Sequence, residues 1–254
     1  MRKLLFLFSF IFLISCDNSN DDENNSITNV NPKKITQVTK NGSLLYKFTY
    51  NSDGKISEIQ NYVSNTINTT TKIEYSNGNG IKWNIYDKNN NLIEYQLYTF
   101  QNNIITKREV YVKNVSGTNF NFSSRIEYIN DFNKSKNNIT EASIYDSNNV
   151  YNSKYTITYT DNLGSSITNY YNSSGIKTST STWIKDDKIA WDTVLDPFIY
   201  QHEHNNTSIS NVITATGVTS GYSAAFTYDT NRYPLTGKYI YTDGTVINYV
   251  FTWE

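Results

Sequence analysis

The sequence predicts an all-β fold, and three observations carry that prediction. Apolar and aromatic residues alternate with Thr, Ser, Asn and Lys in runs of five to ten, the period of two expected of strands with one buried face. Between the runs stand Asn41-Gly42, Asp53-Gly54, Asn77-Gly78, Asn79-Gly80, Ser174-Gly175 and Asp243-Gly244, pairs that accept the positive φ of hairpin turns. No long stretch places apolar residues at i, i+3, i+4 and i+7, so amphipathic helices are not expected.

Taken in order, the alternating runs are Leu44 to Tyr50, Lys72 to Tyr75, Ile93 to Phe100, Lys107 to Val112, Arg125 to Ile129, Lys154 to Tyr159 and Ile176 to Ile184. The clearest hairpin lies within Phe226 to Trp253. Tyr239 and Tyr241 share one face, Ile247, Tyr249, Phe251 and Trp253 share another, and Asp243-Gly244 between them predicts a type I′ turn. As the last hairpin it is expected to seal the sheet, so truncation at Ser223 should unfold the domain. The prediction is a single antiparallel β-meander of repeated hairpins, roughly 12 to 16 strands, curled into a half-barrel or folded into a two-layer sheet because so many strands do not stay flat. Little helix is expected. Asp196 as N-cap and Pro197 at the first helical position predict one or two turns ending near Asn205-Asn206.

Residues 1–16 read as a processing signal: Arg2 and Lys3 are its positive end, and the apolar run Leu4 to Ile14 is too short to span a bilayer. It ends Leu13-Ile14-Ser15-Cys16, with the chain's one cysteine. This ending resembles the lipobox of bacterial lipoproteins, which implies cleavage before Cys16, lipidation of Cys16, and a membrane as partner through that anchor. Removing Arg2 and Lys3 makes the formal net charge of −1 more negative by two units. No concentrated basic face is visible, which argues against nucleic acid as a partner.

Residues 17–32 are Asn, Asp, Ser and Glu with almost no apolar side chain, a flexible acidic tether. Asp21-Asp22-Glu23 resembles the acidic export signal of Bacteroidota surface lipoproteins. That implies an outer-membrane, cell-surface location; a periplasmic location is the alternative, and Asp17 reads as inner-membrane retention under enterobacterial rules.

The block 33–254 forms the folded domain. Five of its segments share Tyr, then Asp or Asn, then polar residues and often Gly or Asn: Tyr50 to Ile56, Tyr86 to Leu92, Tyr145 to Val150, Tyr171 to Ile176 and Tyr228 to Arg232. The Asp or Asn side chain accepts a backbone N–H two residues on, and Gly or Asn takes the positive-φ position. Arg232 stands where glycine is expected. The pattern resembles the tyrosine-aspartate (YD) repeat of Rhs-type proteins, and the arrangement looks like the YD-repeat-like lipoproteins of Bacteroidota, most of unknown function.

His-Glu-x-x-His, Gly-x-Ser-x-Gly, phosphate-loop and Cys-x-x-Cys patterns are absent. Asp186, Asp187, Asp192, Asp196 and Glu203 offer carboxylates for glycoside chemistry, with Trp183 and Trp191 as sugar platforms; Trp183, Trp191, Asp192 and Asp196 are therefore the ligand-binding candidates. His202 and His204 would share a strand face and chelate a metal, but on the predicted helix they diverge, so a solvated loop is preferred. Asp87 to Asn91 has the oxygen spacing of a calcium loop without its glycine or distal glutamate, and turn chemistry explains it. Neither catalytic residues nor a cofactor are expected. Two functions stand: a non-catalytic, surface-anchored structural or interaction module whose partner is a glycan or surface protein, or a carbohydrate-binding or carbohydrate-processing lipoprotein.

Overall fold

The computed structural model describes residues 32–115, 117–131, 138–192 and 204–254. Within them run β1 (Ile35–Lys40), β2 (Ser43–Tyr50), β3 (Ile56–Val63), β4 (Thr66–Ser76), β5 (Asn79–Asp87), β6 (Leu92–Gln101), β7 (Ile104–Lys113), β8 (Phe120–Asp131), β9 (Asn138–Tyr145), β10 (Tyr151–Tyr159), β11 (Ser166–Asn172), β12 (Lys177–Ile189), β13 (His204–Ile213), β14 (Thr219–Tyr228), β15 (Pro234–Tyr241) and β16 (Val246–Trp253). Every strand pairs antiparallel with its sequence neighbours, and β1 returns to β16 to close a barrel. The expected meander is present, but the half-barrel or two-layer sheet is corrected to full closure. The physical reason lies in the first and last strands, each of which would otherwise leave a row of unpaired backbone groups. Ile35 pairs with Trp253 and Lys40 with Tyr249, and reciprocal bonds Lys34 N to Glu254 O (2.8 Å) and Glu254 N to Lys34 O (2.9 Å) fasten the seam.

Among the described residues there is no α-helix. Asn205 and Asn206, the expected helix end, lie in β13; Asp196 and Pro197 fall outside the described residues, as do Cys16 and the tether up to residue 31.

The hairpins follow local chemistry. Asn41-Gly42 (φ 50 and 80) and Asn77-Gly78 (φ 49 and 83) are both left-handed at the two central positions, as a type I′ turn requires. Ser64-Asn65 and Asn102-Asn103 do the same without any glycine, and so escaped the sequence reading. Asn79-Gly80, expected as a turn, opens β5 instead. Asp243-Gly244 departs from type I′: Gly244 has φ 83 but Asp243 is not left-handed. Gly244 N bonds Tyr241 O and Tyr241 N bonds Thr245 O, which makes the connection a three-residue loop ending in a left-handed residue.

All five Tyr-Asx segments cap their own turns. Asn51, Asp87, Asp146, Asn172 and Asp229 each accept two backbone N–H groups, at i+2 and i+4, over 2.8 to 3.0 Å. The YD-repeat family assignment itself is corrected. The segments sit on both ends of one closed barrel, at the β2–β3 and β14–β15 connections on one rim and the β5–β6, β9–β10 and β11–β12 connections on the other. They are a recurrent turn chemistry within ordinary hairpins, not a repeated unit.

Burial is graded along the barrel. The chain enters at Lys33, on the rim carrying the β2–β3 and β14–β15 turns. Near this entry rim the inward side chains Ile35, Phe48, Ile56, Ile73, Ile105, Ile139 and Phe251 are all under 9% exposed and belong to one apolar cluster. Trp191, just past β12, joins this cluster: it stacks on Tyr249 and lies 5.1 Å from the Phe251 ring. Towards the far rim the same inward faces loosen, and Val112 on β7 is 40% exposed. The interior is thus a cup, closed by the apolar cluster towards the entry rim and opening at the other.

Candidate functional site

On β11 to β13 the inward wall changes character. Trp183 pairs with Ser166 on β11 and Ile209 on β13, and Ser181 pairs with Thr168, so alternation puts Ser181, Trp183 and Lys185 on one inward face. A register shift after Ile184 brings Asn206 opposite Lys185. Ser165, Ser166, Thr168, Ser181, Lys185 and Asn206 are all buried. This is a polar wall facing the apolar side of the cup.

Lys185 is fixed through its backbone, whose N–H donates to Ser165 Oγ at 3.0 Å. Burial pulls its ammonium down to about 8, with Asp192 and Asp161 opposing that shift. Asp192 keeps some surface as a residue, yet its Oδ1 is shielded from water and has no hydrogen-bond partner. Burial pushes its carboxyl above the usual aspartate range, against the pull of Lys185. Tyr222 and Tyr239 face the same carboxyl, and burial raises both phenols above the ordinary tyrosine value. Two further buried polar atoms on this wall, Trp183 Nε1 and Asn206 Oδ1, also lack partners.

The sequence-predicted residues separate. Trp183 and Asp192 belong to this wall. Trp191 is 9% exposed and its Nε1 donates to Tyr239 Oη at 3.3 Å; it packs the core and offers no open platform. Asp186 accepts from Tyr228 Oη, from Asn205 N at 3.1 Å and from Lys188 N at 3.0 Å, which makes it a strut of the β12–β13 junction. Asp187 points outward to Lys188 and Arg232. Asp196, Glu203 and His202 lie outside the described residues. His204 Nδ1 is 3.2 Å from Lys188 O, and among the described residues no three His, Cys, Asp or Glu side chains gather as a metal site. The calcium-like Asp87 loop directs Oδ1 to the N–H groups of Asn89 and Asn91 and Oδ2 to Asn91 Nδ2. Lys185, Asn206 and Ser166 were missed. One signal was available: Trp183-Ile184-Lys185 places a cation two residues from an inward tryptophan.

The outer wall is polar at mid-height. Lys82 pairs with Glu74 (3.5 Å), Lys107 with Glu109 (3.0 Å), Arg125 with Glu127 (3.1 Å) and Lys154 with Glu141 (3.1 Å). These outward pairs cover β4 to β10. Around β11 to β16 the outward positions mix hydroxyl and amide residues, among them Thr180, Thr182, Ser208, Ser210, Ser223, Thr236 and Asn248, with the exposed aliphatics Ile184, Val212, Ile240, Val246 and Val250. A short aromatic ladder on β6 to β8 adjoins the ion pairs: Tyr95 stacks on Tyr111 at 4.8 Å, Phe120 and Phe122 adjoin, and Lys82 lies over Tyr95. No helix among the described residues is long and apolar enough to cross a membrane, which says nothing of a β-barrel.

Comparison with solved structures places the barrel among porin-like folds. It is similar to a porin-like protein from Bacteroides uniformis, with TM-score 0.53 and 13% identity over 82% of this chain and 90% of that one. A porin-like protein from Bacteroides vulgatus gives TM-score 0.52 and 14% identity over 86% and 97% of the two chains. No family model and no curated protein matches the sequence. The likeness is one of fold.

Proposed function

We propose that this chain is a non-catalytic binding module, a porin-like barrel that stands in water at the outer membrane and is held there by a lipid on Cys16. The outer wall carries the proposal. A membrane-spanning barrel needs an outward apolar band about 25 Å tall, and Lys or Arg at its midplane costs about 2–4 kcal/mol each. Here Lys82, Lys107, Arg125 and Lys154 stand near the middle of their strands, each paired with a carboxylate on the outer face. A surface of ion pairs and hydroxyls suits water and not hydrocarbon. Inside, one part of the barrel is filled by an apolar cluster that includes Ile35, Phe48, Ile73 and Phe251, where a channel keeps a polar lumen.

The lipobox-like Leu13-Ile14-Ser15-Cys16 supplies the attachment. Several acyl chains on one cysteine exceed the marginal hold of a single chain. The acidic tether then keeps the barrel clear of the surface. Reconstitution of the lipidated chain into planar bilayers tests the channel alternative: this reading expects no conductance steps, and regular unitary steps would refute it.

A further inference from the structure

Beyond the attachment of the barrel, the polar wall inside the cup identifies what the module binds. We infer that Trp183, Lys185, Asn206 and Asp192 form a binding site for a neutral, hydroxyl-rich ligand of the saccharide class, entered from the far rim. The inference rests on the proposed reading of the chain as a binding module.

The unpartnered atoms define the chemistry. Trp183 Nε1 is a donor only, while Asn206 Oδ1 and Asp192 Oδ1 are acceptors, and all three are shielded from water without partners. An unmet buried polar group costs about 1–3 kcal/mol, so three on one wall ask for a common occupant. Vicinal hydroxyls answer all three, because each O–H both accepts from an indole N–H and donates to a carbonyl or carboxyl oxygen. The groups are neighbours: Trp183 and Lys185 are two residues apart on one face, Asn206 pairs with Lys185, and Asp192 interacts with Lys185. Ser166, Ser181 and Thr168 add hydroxyls to the same wall, and the Trp183 indole offers an apolar face against which a sugar ring stacks. A purely anionic ligand would meet Asp192, and a purely apolar one would leave all three atoms unmet.

Access follows the burial gradient. Inward positions towards the far rim, such as Ser179 and Asn211, retain surface, whereas Lys185 and Asn206 lie buried towards the entry rim, so the ligand is met at the floor of the cup.

The test is calorimetric titration of the full lipidated chain, held in a detergent without a sugar headgroup, against neutral α-glucan, β-glucan and mannan oligosaccharides. Binding of at least one is expected. Trp183→Phe, which keeps a six-membered aromatic face and removes the N–H with the five-membered ring, should weaken it about tenfold, as should Asn206→Leu. Circular dichroism of unliganded Trp183→Phe should match that of the parent, which separates loss of binding from loss of fold. Failure of every neutral oligosaccharide to bind, or binding unchanged by Trp183→Phe and Asn206→Leu, overturns the inference. Loss of binding only on Tyr95→Ala or Tyr111→Ala would move the site to the outer wall and equally overturn it. None of these outcomes alters the attachment reading, which bilayer conductance tests separately.

Discussion

Ile35 on the first strand pairs with Trp253 on the last, and the Trp253 indole N–H donates to Pro234 O at 2.7 Å. One residue pair thereby joins the first and last strands to the start of β15. Closure makes the C-terminal strands indispensable, because removing them frees two edges at once and uncovers the cluster that holds Phe251. A chain ending at Ser223 is expected to lose its near-ultraviolet circular dichroism and its cooperative melting transition. A sharp transition in that truncated chain would show that the barrel tolerates an open seam.

Arg232 occupies the left-handed position of the β14–β15 turn, with φ 70, and its guanidinium reaches Asp187 at 3.3 Å on the surface. An exposed pair contributes little, whereas a non-glycine residue in that conformation costs about 1–2 kcal/mol. Arg232→Gly is therefore expected to raise stability, by about 1 kcal/mol after the added freedom of the unfolded chain is counted. Urea denaturation with an unchanged slope measures it.

Lys185 sets a pH dependence. Its folded value is lowered to about 8, below the 10.5 of an ordinary lysine, so between these values the unfolded chain binds more protons than the folded one. Stability contributed at this site therefore rises as pH increases from about 8 towards 10.5. Tyrosines raised by burial, Tyr249 to about 12 among them, work in the opposite sense as pH climbs past 10. The difference between wild type and Lys185→Met isolates the lysine: the advantage of the methionine variant should shrink across that window. A constant difference from pH 7 to 10 would place the ammonium in water.

Much of this architecture was legible in the sequence. Alternation gave the strands around Leu44, Ile93 and Lys154, and Asn-Gly pairs gave two of the type I′ turns. Closure was not legible, because pairing of Ile35 with Trp253 depends on accumulated twist over sixteen strands, which no local window contains. Periodicity also leaves open which face points inward. Lys107 and Glu109 read the same on either wall, and only the register with β6 and β8 sets them outside. The site was half visible: Trp183 and Asp192 stood out by type, but Asn206 became its neighbour through a register shift between β12 and β13, and one-residue slips leave no mark in composition. Trp191 shows the converse, an aromatic singled out as a sugar platform that the fold uses for packing. The Tyr-Asx segments misled for a related reason: the same capping chemistry serves any tight hairpin, so its recurrence marks turns and not ancestry.

In the proposed function the barrel faces water and is tied to the membrane only through Cys16. The most direct measurement is alkaline carbonate extraction of membranes from cells expressing the wild-type chain or Cys16→Ala without its first fifteen residues, redirected by a cleavable secretion signal. The wild type should remain in the membrane pellet, and the variant should appear in the supernatant with an intact melting transition. A variant that stays in the pellet after carbonate would contradict the account and return the barrel wall to the lipid.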